Sequence, residues 1–245
     1  MTRLLALVRL LRVLAHLLAG WYTVRYRFPR LSVFEKEERI SSWALALLGY
    51  FAIELRVIGR VPVQGPLLLV ANHISWLDIV ALHAARHCRF VAKADLGQWP
   101  LVGTLAREAG TLFIERESPR DALRVVHHMA ERLRADEVLA VFPEGTTSNG
   151  LGLLPFHANL LQAAIAVDAP VQPVALRFTD ARTGQTSLAP CYIGDDTLLD
   201  SLWRTLRAPA LCAVLSFGEP QRAQGRSRRQ WAADLRDDVD RLRAA

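Results

Sequence analysis

Long uncharged apolar runs are missing from this 245-residue chain. No stretch of about 18 consecutive uncharged apolar residues occurs, so a simple membrane-spanning helix is not expected. Cysteine is scarce: Cys88, Cys191 and Cys212 are widely spaced and form no CxxC pair. An odd count without paired spacing excludes a disulfide framework and fits buried thiols in a reducing compartment. Lysine is nearly absent, 2 against 28 arginines, an imbalance that assigns no function by itself. No GxSxG elbow marks a serine hydrolase. Neither GxGxxG nor GxxxxGK[ST] is present to cradle a nucleotide, and no zinc-finger spacing or RNA-binding motif points to nucleic acid. His83 and His87 are spaced H-x3-H beside Cys88, but no acidic third ligand accompanies them and HExxH is absent, so no metal is expected.

What is present is 51% hydrophobic and 22% charged, which excludes a disordered chain and supports one sizeable domain or two small ones. The net charge of +6 is unevenly placed. Residues 1–60 hold 10 Lys/Arg against 4 Asp/Glu, and residues 61–245 hold 20 of each. A basic, apolar N-terminus points to an anionic membrane surface. Residues 4–19 have a helical period, with Arg9, Arg12 and His16 on one face. The two arginines interrupt the apolar region and no small-x-small cleavage site follows, so an interfacial amphipathic helix fits better than a signal peptide. Trp21, Tyr22, Tyr26 and Phe28, mixed with Arg25, Arg27 and Arg30, suit a headgroup layer. Residues 40–53 form a second apolar piece, too short to cross alone. The two pieces can pair as a hairpin dipping into one leaflet; they can also be ordinary core helices. On the first reading the +6 is a salt-sensitive docking charge.

From residue 61 short apolar runs alternate with amphipathic ones, after a break at Pro62, Gly65 and Pro66. Strands are expected at 67–71, 89–92, 111–114, 137–142, 171–177 and 211–217, and helices at 76–87, 99–108, 119–134, 156–167 and 228–243. The expectation is an α/β fold: a largely parallel sheet flanked by helices (residues 61–245), preceded by a membrane-binding helical hairpin (residues 1–60). Ligands then bind beyond the carboxyl ends of the strands, where three polar clusters occur.

After LLLVA come Asn72, His73, Ser75 and Asp78. If the chain turns there, Asp78 can accept a hydrogen bond from one nitrogen of His73, leaving the other as a base without a protein nucleophile. Ser75 and Asp78 also read as a helix capping box. After TLFI comes Arg116, and after RFVA comes Lys93; each is a cation at the same rim suited to phosphate or carboxylate, or a surface charge. After VLAVF come Glu144, Gly145, Thr146, Thr147 and Ser148, which can hold a polar headgroup or form a plain polar loop. In the following segment Phe156, Leu160, Ala163 and Ala164 read as core, and His157 as a helix-start residue.

In this order the clusters resemble the lysophospholipid acyltransferase family, which includes bacterial 1-acyl-glycerol-3-phosphate acyltransferases. Its NHxSxxD block is matched by Asn72-His73-Ile74-Ser75-Trp76-Leu77-Asp78, and its FPEGTxS block by Phe142 to Ser148. Its arginine block is matched by Gly110 to Arg116, and its proline block by VQPVAL at 171–176. The resemblance implies that His73 activates a lysolipid hydroxyl for direct attack on an acyl-CoA or acyl-carrier-protein thioester, with Asp78 orienting it. It implies no other cofactor and no metal. Asn72, Ser75, Lys93, Arg116, Glu144, Gly145 and Thr146 would bind substrate, with Arg116 on the acceptor's phosphate and free amides near the first block stabilising the oxyanion. The expected acceptor is 1-acyl-sn-glycerol-3-phosphate, at the cytoplasmic face of the cell membrane, with the protein monotopic or peripheral. One position departs: the third block often reads FPEGTRS, and here the cation is replaced by Thr147. That opens a lyso-amino-acid lipid of ornithine type as a second acceptor. A non-enzymatic membrane-binding protein is the reading from another class.

Overall fold

The computed structural model describes residues 3–114 and 119–244. The strands β1 (Ile53–Ile58), β2 (Leu67–Ala71), β3 (Arg89–Lys93), β4 (Leu112–Ile114), β5 (Val138–Val141), β6 (Val171–Asp180) and β7 (Leu211–Phe217) form one sheet in the order β1-β7-β6-β2-β5-β3-β4. All neighbours run parallel except β6 and β7. Strands β2, β5 and β7 are buried along their whole length. Their unbroken apolar runs are what a sheet covered on both faces requires.

Successive side chains point to opposite faces and seed two cores. Leu67, Leu69 and Ala71 pack with Leu47, Leu48, Leu77 and Leu82 from α2 (Val33–Tyr50) and α3 (Leu77–Ala85). Leu68 and Val70 pack with Met129, Leu161, Trp231 and Leu235 from α5 (Pro119–Arg134), α6 (Leu161–Ala166) and α8 (Arg228–Ala244). The short helix α4 (Val102–Glu108) precedes β4. Cys88, Cys191 and Cys212 are buried free thiols.

Two elements depart from the sequence expectation. Strand β1 lies inside residues 1–60 and overlaps the apolar piece 40–53, yet it is hydrogen-bonded into the sheet beside β7 with Ile53 opposite Leu211. Its period-two alternation, Ile53, Leu55 and Val57 against Glu54 and Arg56, carries a strand signal hidden by the helix before it. Helix α7 (Leu198–Arg207) was not expected either; it opens on a capping box in which Thr197 and Asp200 each accept the other's backbone amide.

The two N-terminal helices pair, but they divide their duties. Helix α2 starts on a Ser32–Glu35 capping box and buries Ala44, Leu47 and Leu48 in the core. Helix α1 (Arg3–Tyr26) lies against α2, with the His16 ring stacked on Trp43 at 4.9 Å. Gly20 permits this approach, since a Cβ there would sit 2.5 Å from the Trp43 indole nitrogen. Ala6, Val13 and Gly20 face inward. Leu4, Leu7, Leu11, Leu14 and Leu18 are exposed on the opposite side, within about a quarter of the circumference at ~100° per residue.

The polar stripe expected to face lipid headgroups is turned partly inward. Arg9 Nη1 donates to the carbonyls of Leu206 (3.1 Å) and Ala208 (3.0 Å) at the C-terminal end of α7, where a helix favours a cation. His16 Nε2 lies 2.9 Å from the Trp43 carbonyl. Arg12, Arg25, Arg27 and Arg30 remain exposed beside Tyr22 and Tyr26, whereas Phe28 is buried. Helix α1 is also longer and more apolar than expected. Its 24 residues include a window of mean hydropathy 1.7, of which 17% is buried, enough to cross a membrane by length and composition.

Candidate active site

Strands β2 and β5 are adjacent, with Val70 opposite Val141. Two loops some seventy residues apart in the chain therefore leave the same rim of the sheet side by side. They are laced together directly. The Ser148 amide donates to the His73 carbonyl (2.8 Å). Glu144 Oε1 accepts the His73 amide (2.8 Å), and its Oε2 accepts the Leu154 amide (3.0 Å). Burial pushes the Glu144 carboxyl up, while these two amides pull it back towards the ionised form.

The chain turns between His73 and Asp78, with the Asp78 amide donating to the Ser75 carbonyl (3.1 Å). That turn brings Asp78 Oδ2 to 2.7 Å from His73 Nδ1. The same oxygen accepts the amides of Ile74 (2.6 Å) and Ser75 (2.9 Å). Asp78 Oδ2 thus orients His73 and also reaches back to the Ser75 amide, but the capping box is not completed: α3 is N-capped at Trp76 without a side-chain cap, and the Ser75 hydroxyl accepts the Leu77 amide. The Asp78 side chain is 0% exposed and the His73 side chain 19% exposed. A carboxylate accepts only, so Nδ1 carries the proton and Nε2 is the free basic nitrogen. The imidazole stacks on Phe142 at 4.0 Å and 8°, and Phe142 stacks on Phe90 at 5.7 Å. Packing fixes the ring plane, and among the described residues no serine, threonine or cysteine hydrogen-bonds to Nε2.

Several residues expected to bind substrate bond within the framework. Asn72 is fully buried; its Nδ2 donates to the Leu176 carbonyl (3.0 Å) and its Oδ1 accepts the Leu176 amide (2.7 Å). It ties the first block to β6 and offers no polar group outward. Ser75 is fully buried, and its hydroxyl accepts the Leu77 amide. Glu144 braces the two loops. Gly145 sits at φ +72° and is exposed, with the His157 ring so close that a Cβ would lie 3.0 Å from it. Thr146 is exposed at the rim. The Thr147 hydroxyl donates to the Tyr192 carbonyl, and the Tyr192 amide donates to the Ile74 carbonyl. Lys93 ends β3, with its backbone opposite Ile114. Arg116 lies outside the described residues.

Most amides of the first block are already bonded, while the Trp76 amide has no partner among the described residues. The amides of His73, Ile74, Ser75, Leu77 and Asp78 are all engaged within the loops. The Thr146 and Thr147 amides likewise have no partner among the described residues, so the third block beside it also presents free donors. Sequence spacing did not single out His157, which reaches the site because its amide donates to the Pro143 carbonyl (2.8 Å). His83 and His87 stack on each other at 5.3 Å. Burial, reinforced by the neighbouring imidazole, lowers His83 to about 3. Burial and the charges of Arg89 and Arg86 lower His87 to about 4. They are neutral packing groups, and among the described residues no cluster of three or more His, Cys, Asp or Glu could hold a metal.

Among the described residues the site thus offers an oriented imidazole with no protein nucleophile bonded to it, beside amides without a partner, on a rim where a hydroxyl and a carbonyl can meet. A family model described as Acyltransferase matches residues 52–177, beginning one residue before β1. The lyso-ornithine lipid O-acyltransferase of Pseudomonas aeruginosa is 39% identical over 98% of this chain and 93% of that protein. The 1-acyl-sn-glycerol-3-phosphate acyltransferase of Neisseria gonorrhoeae is 41% identical over 65% of this chain and 63% of its own length. The crystal structure of the 1-acyl-sn-glycerophosphate acyltransferase of Thermotoga maritima superposes with a TM-score of 0.68 over 96% of both chains, at 20% identity, a likeness of fold.

Proposed function

The chain belongs to the Acyltransferase family, and on that premise we propose that it transfers a fatty acyl group from a thioester to the free hydroxyl of a membrane lysolipid. The observation that carries this reading is the His73–Asp78 pair at 2.7 Å with Nε2 open to the rim. His73 Nε2 removes the hydroxyl proton as the oxygen attacks the thioester carbonyl. The tetrahedral intermediate collapses, the C–S bond breaks, and the thiolate leaves with the proton returned from the imidazolium. Asp78 stays ionised and holds the ring. General-base assistance contributes on the order of 10²–10⁴-fold; fixing hydroxyl and thioester together supplies much of the rest. The donor is acyl-CoA or acyl-carrier protein as co-substrate, and the mechanism calls for no metal.

The primary acceptor is 1-acyl-sn-glycerol-3-phosphate, giving phosphatidic acid, with Lys93 and Arg116 answering its phosphate. Lyso-ornithine lipid is a second acceptor favoured by two observations. The similarity to the Pseudomonas protein runs almost end to end. The threonine that replaces the block's usual arginine spends its hydroxyl on Tyr192 and brings no charge to the rim. The exposed leucines of α1 and the cations Arg25, Arg27 and Arg30 support membrane association, at the cytoplasmic face, in monotopic or peripheral fashion.

The test is an acceptor panel with purified protein in mixed micelles: 1-acyl-sn-glycerol-3-phosphate, lyso-ornithine lipid and lysophospholipids with larger headgroups. Turnover of either of the first two is expected. Failure of every acceptor, with folding and vesicle binding intact, would overturn the enzymatic reading in favour of a membrane-binding protein.

A further inference from the structure

Beside the catalytic loop a pocket of about 100 Å³ opens on the rim, lined in part by Ile74, Asn149, Arg177, Thr186, Ser187 and Arg243. Ile74 is bonded to His73, and Arg177 follows the β6 residue whose backbone holds Asn72. The pocket is therefore rigidly connected to the base. Arg243 has its charge answered: it donates to the carbonyls of Gly150 (3.0 Å) and Leu151 (3.2 Å) and pairs with Asp240 (2.6 Å). Arg177 does not. Its Nε is buried without a partner, and among the described residues its guanidinium makes no ion pair. A buried cationic donor left unpaired is costly, so an acidic guest would relieve it.

The remaining free groups point the same way. Asn149 Oδ1 is taken by the Leu151 amide (3.0 Å), leaving its NH2 to donate. Ser187 Oγ accepts the Ala189 amide (3.4 Å), leaving its O–H to donate. A guanidinium, an amide NH2 and hydroxyls together select a group that only accepts.

Building on the acyltransferase reading, we propose that Arg177 is the charged centre of an anion subsite that seats a phosphate or carboxylate of one of the two substrates. The guest comes either from the lysolipid headgroup or from a phosphate of the acyl donor. The subsite holds that substrate in register with His73 Nε2.

The test compares full-length wild type, Arg177→Gln and Arg177→Lys, with acceptor and acyl-CoA varied separately. Loss of one charged hydrogen bond predicts a KM rise of about tenfold or more for one substrate, with kcat within about twofold and substantial recovery in Arg177→Lys. A rise confined to the acceptor identifies the headgroup as guest. A rise confined to the donor identifies its phosphate, and acyl-CoA lacking the 3′-phosphate then reports whether that group is the one seated. Unchanged KM for both substrates overturns the subsite. If wild type acylates no acceptor, the acyltransferase reading fails separately, and inorganic phosphate still probes the pocket. Phosphate should then raise the melting temperature of wild type and not of Arg177→Gln; equal shifts overturn the proposal.

Discussion

At the rim of β2 and β5, polar side chains are buried and almost every group is answered: Asn72 by Leu176, Glu144 by His73 and Leu154, Asp78 Oδ2 by three donors. On α1 the polarity is inverted. Leucines stand in the open, while Arg9 and His16 turn in to bond α7 and α2. The rim uses desolvated hydrogen bonds to fix one geometry, which an oriented base needs. The helix uses its polar groups to fasten itself to the body and leaves an apolar face for an apolar medium. The +6 of the first sixty residues thus divides between fastening and exposure.

Four variants separate these roles. His73→Ala should have the largest effect on activity, lowering kcat by about 10²–10⁴-fold with melting temperature and vesicle binding unchanged. Retained turnover would break the assignment of the rim. Asn72→Ala should act on the fold, leaving the buried Leu176 amide and carbonyl unpaired at about 1–3 kcal/mol each. Chemical denaturation would read this, and an undiminished midpoint would return Asn72 to a substrate-facing role.

Leu11→Ser with Leu14→Ser should weaken binding to anionic vesicles at every salt concentration, by about 1.5–3 kcal/mol per leucine if each is fully buried in lipid. Arg9→Gln should instead lower the melting temperature and leave vesicle affinity nearly unchanged. The reverse result would restore Arg9 as a docking charge.

The smallest effect concerns pH. His83 and His87 titrate near 3 and 4 in the folded chain, against about 6.5 when unfolded. Below pH 6.5 the unfolded state binds protons that the folded state refuses, so stability falls as pH drops towards 4. His83→Leu should remove about 2 kcal/mol of the loss between pH 7 and pH 5, measured by denaturant midpoints at both values. Parallel curves for the two proteins would show that His83 is not held neutral.

Legibility in the sequence followed the range of the interaction. The His73–Asp78 contact spans five residues and a turn, and residue types with spacing were enough to anticipate it. The run LLLVA announced a strand buried on both faces. The framework bonds of Asn72 were not legible because its partner, Leu176, is 104 residues away. The contacts of Arg9 were not legible for the same reason, since the carbonyls it caps lie nearly 200 residues later. Strand β1 was missed because its alternation adjoins a helical apolar run, and only pairing with β7 resolves the two.

By itself, then, the sequence determined the alternation of strands and helices, the spacing that lets Asp78 meet His73 across a turn, and the concentration of charge before residue 61. Those features rest on backbone periodicity and on contacts within one turn. Tertiary structure alone decided which polar residues bond within the fold and which stay open at the rim. A buried hydrogen bond is satisfied by whichever group the sheet brings within reach, and strand order, not chain order, makes that choice. It also decided that the charge of Arg9 faces α7 while Arg177, unremarked in the sequence, has no partner among the described residues beside the His73 loop.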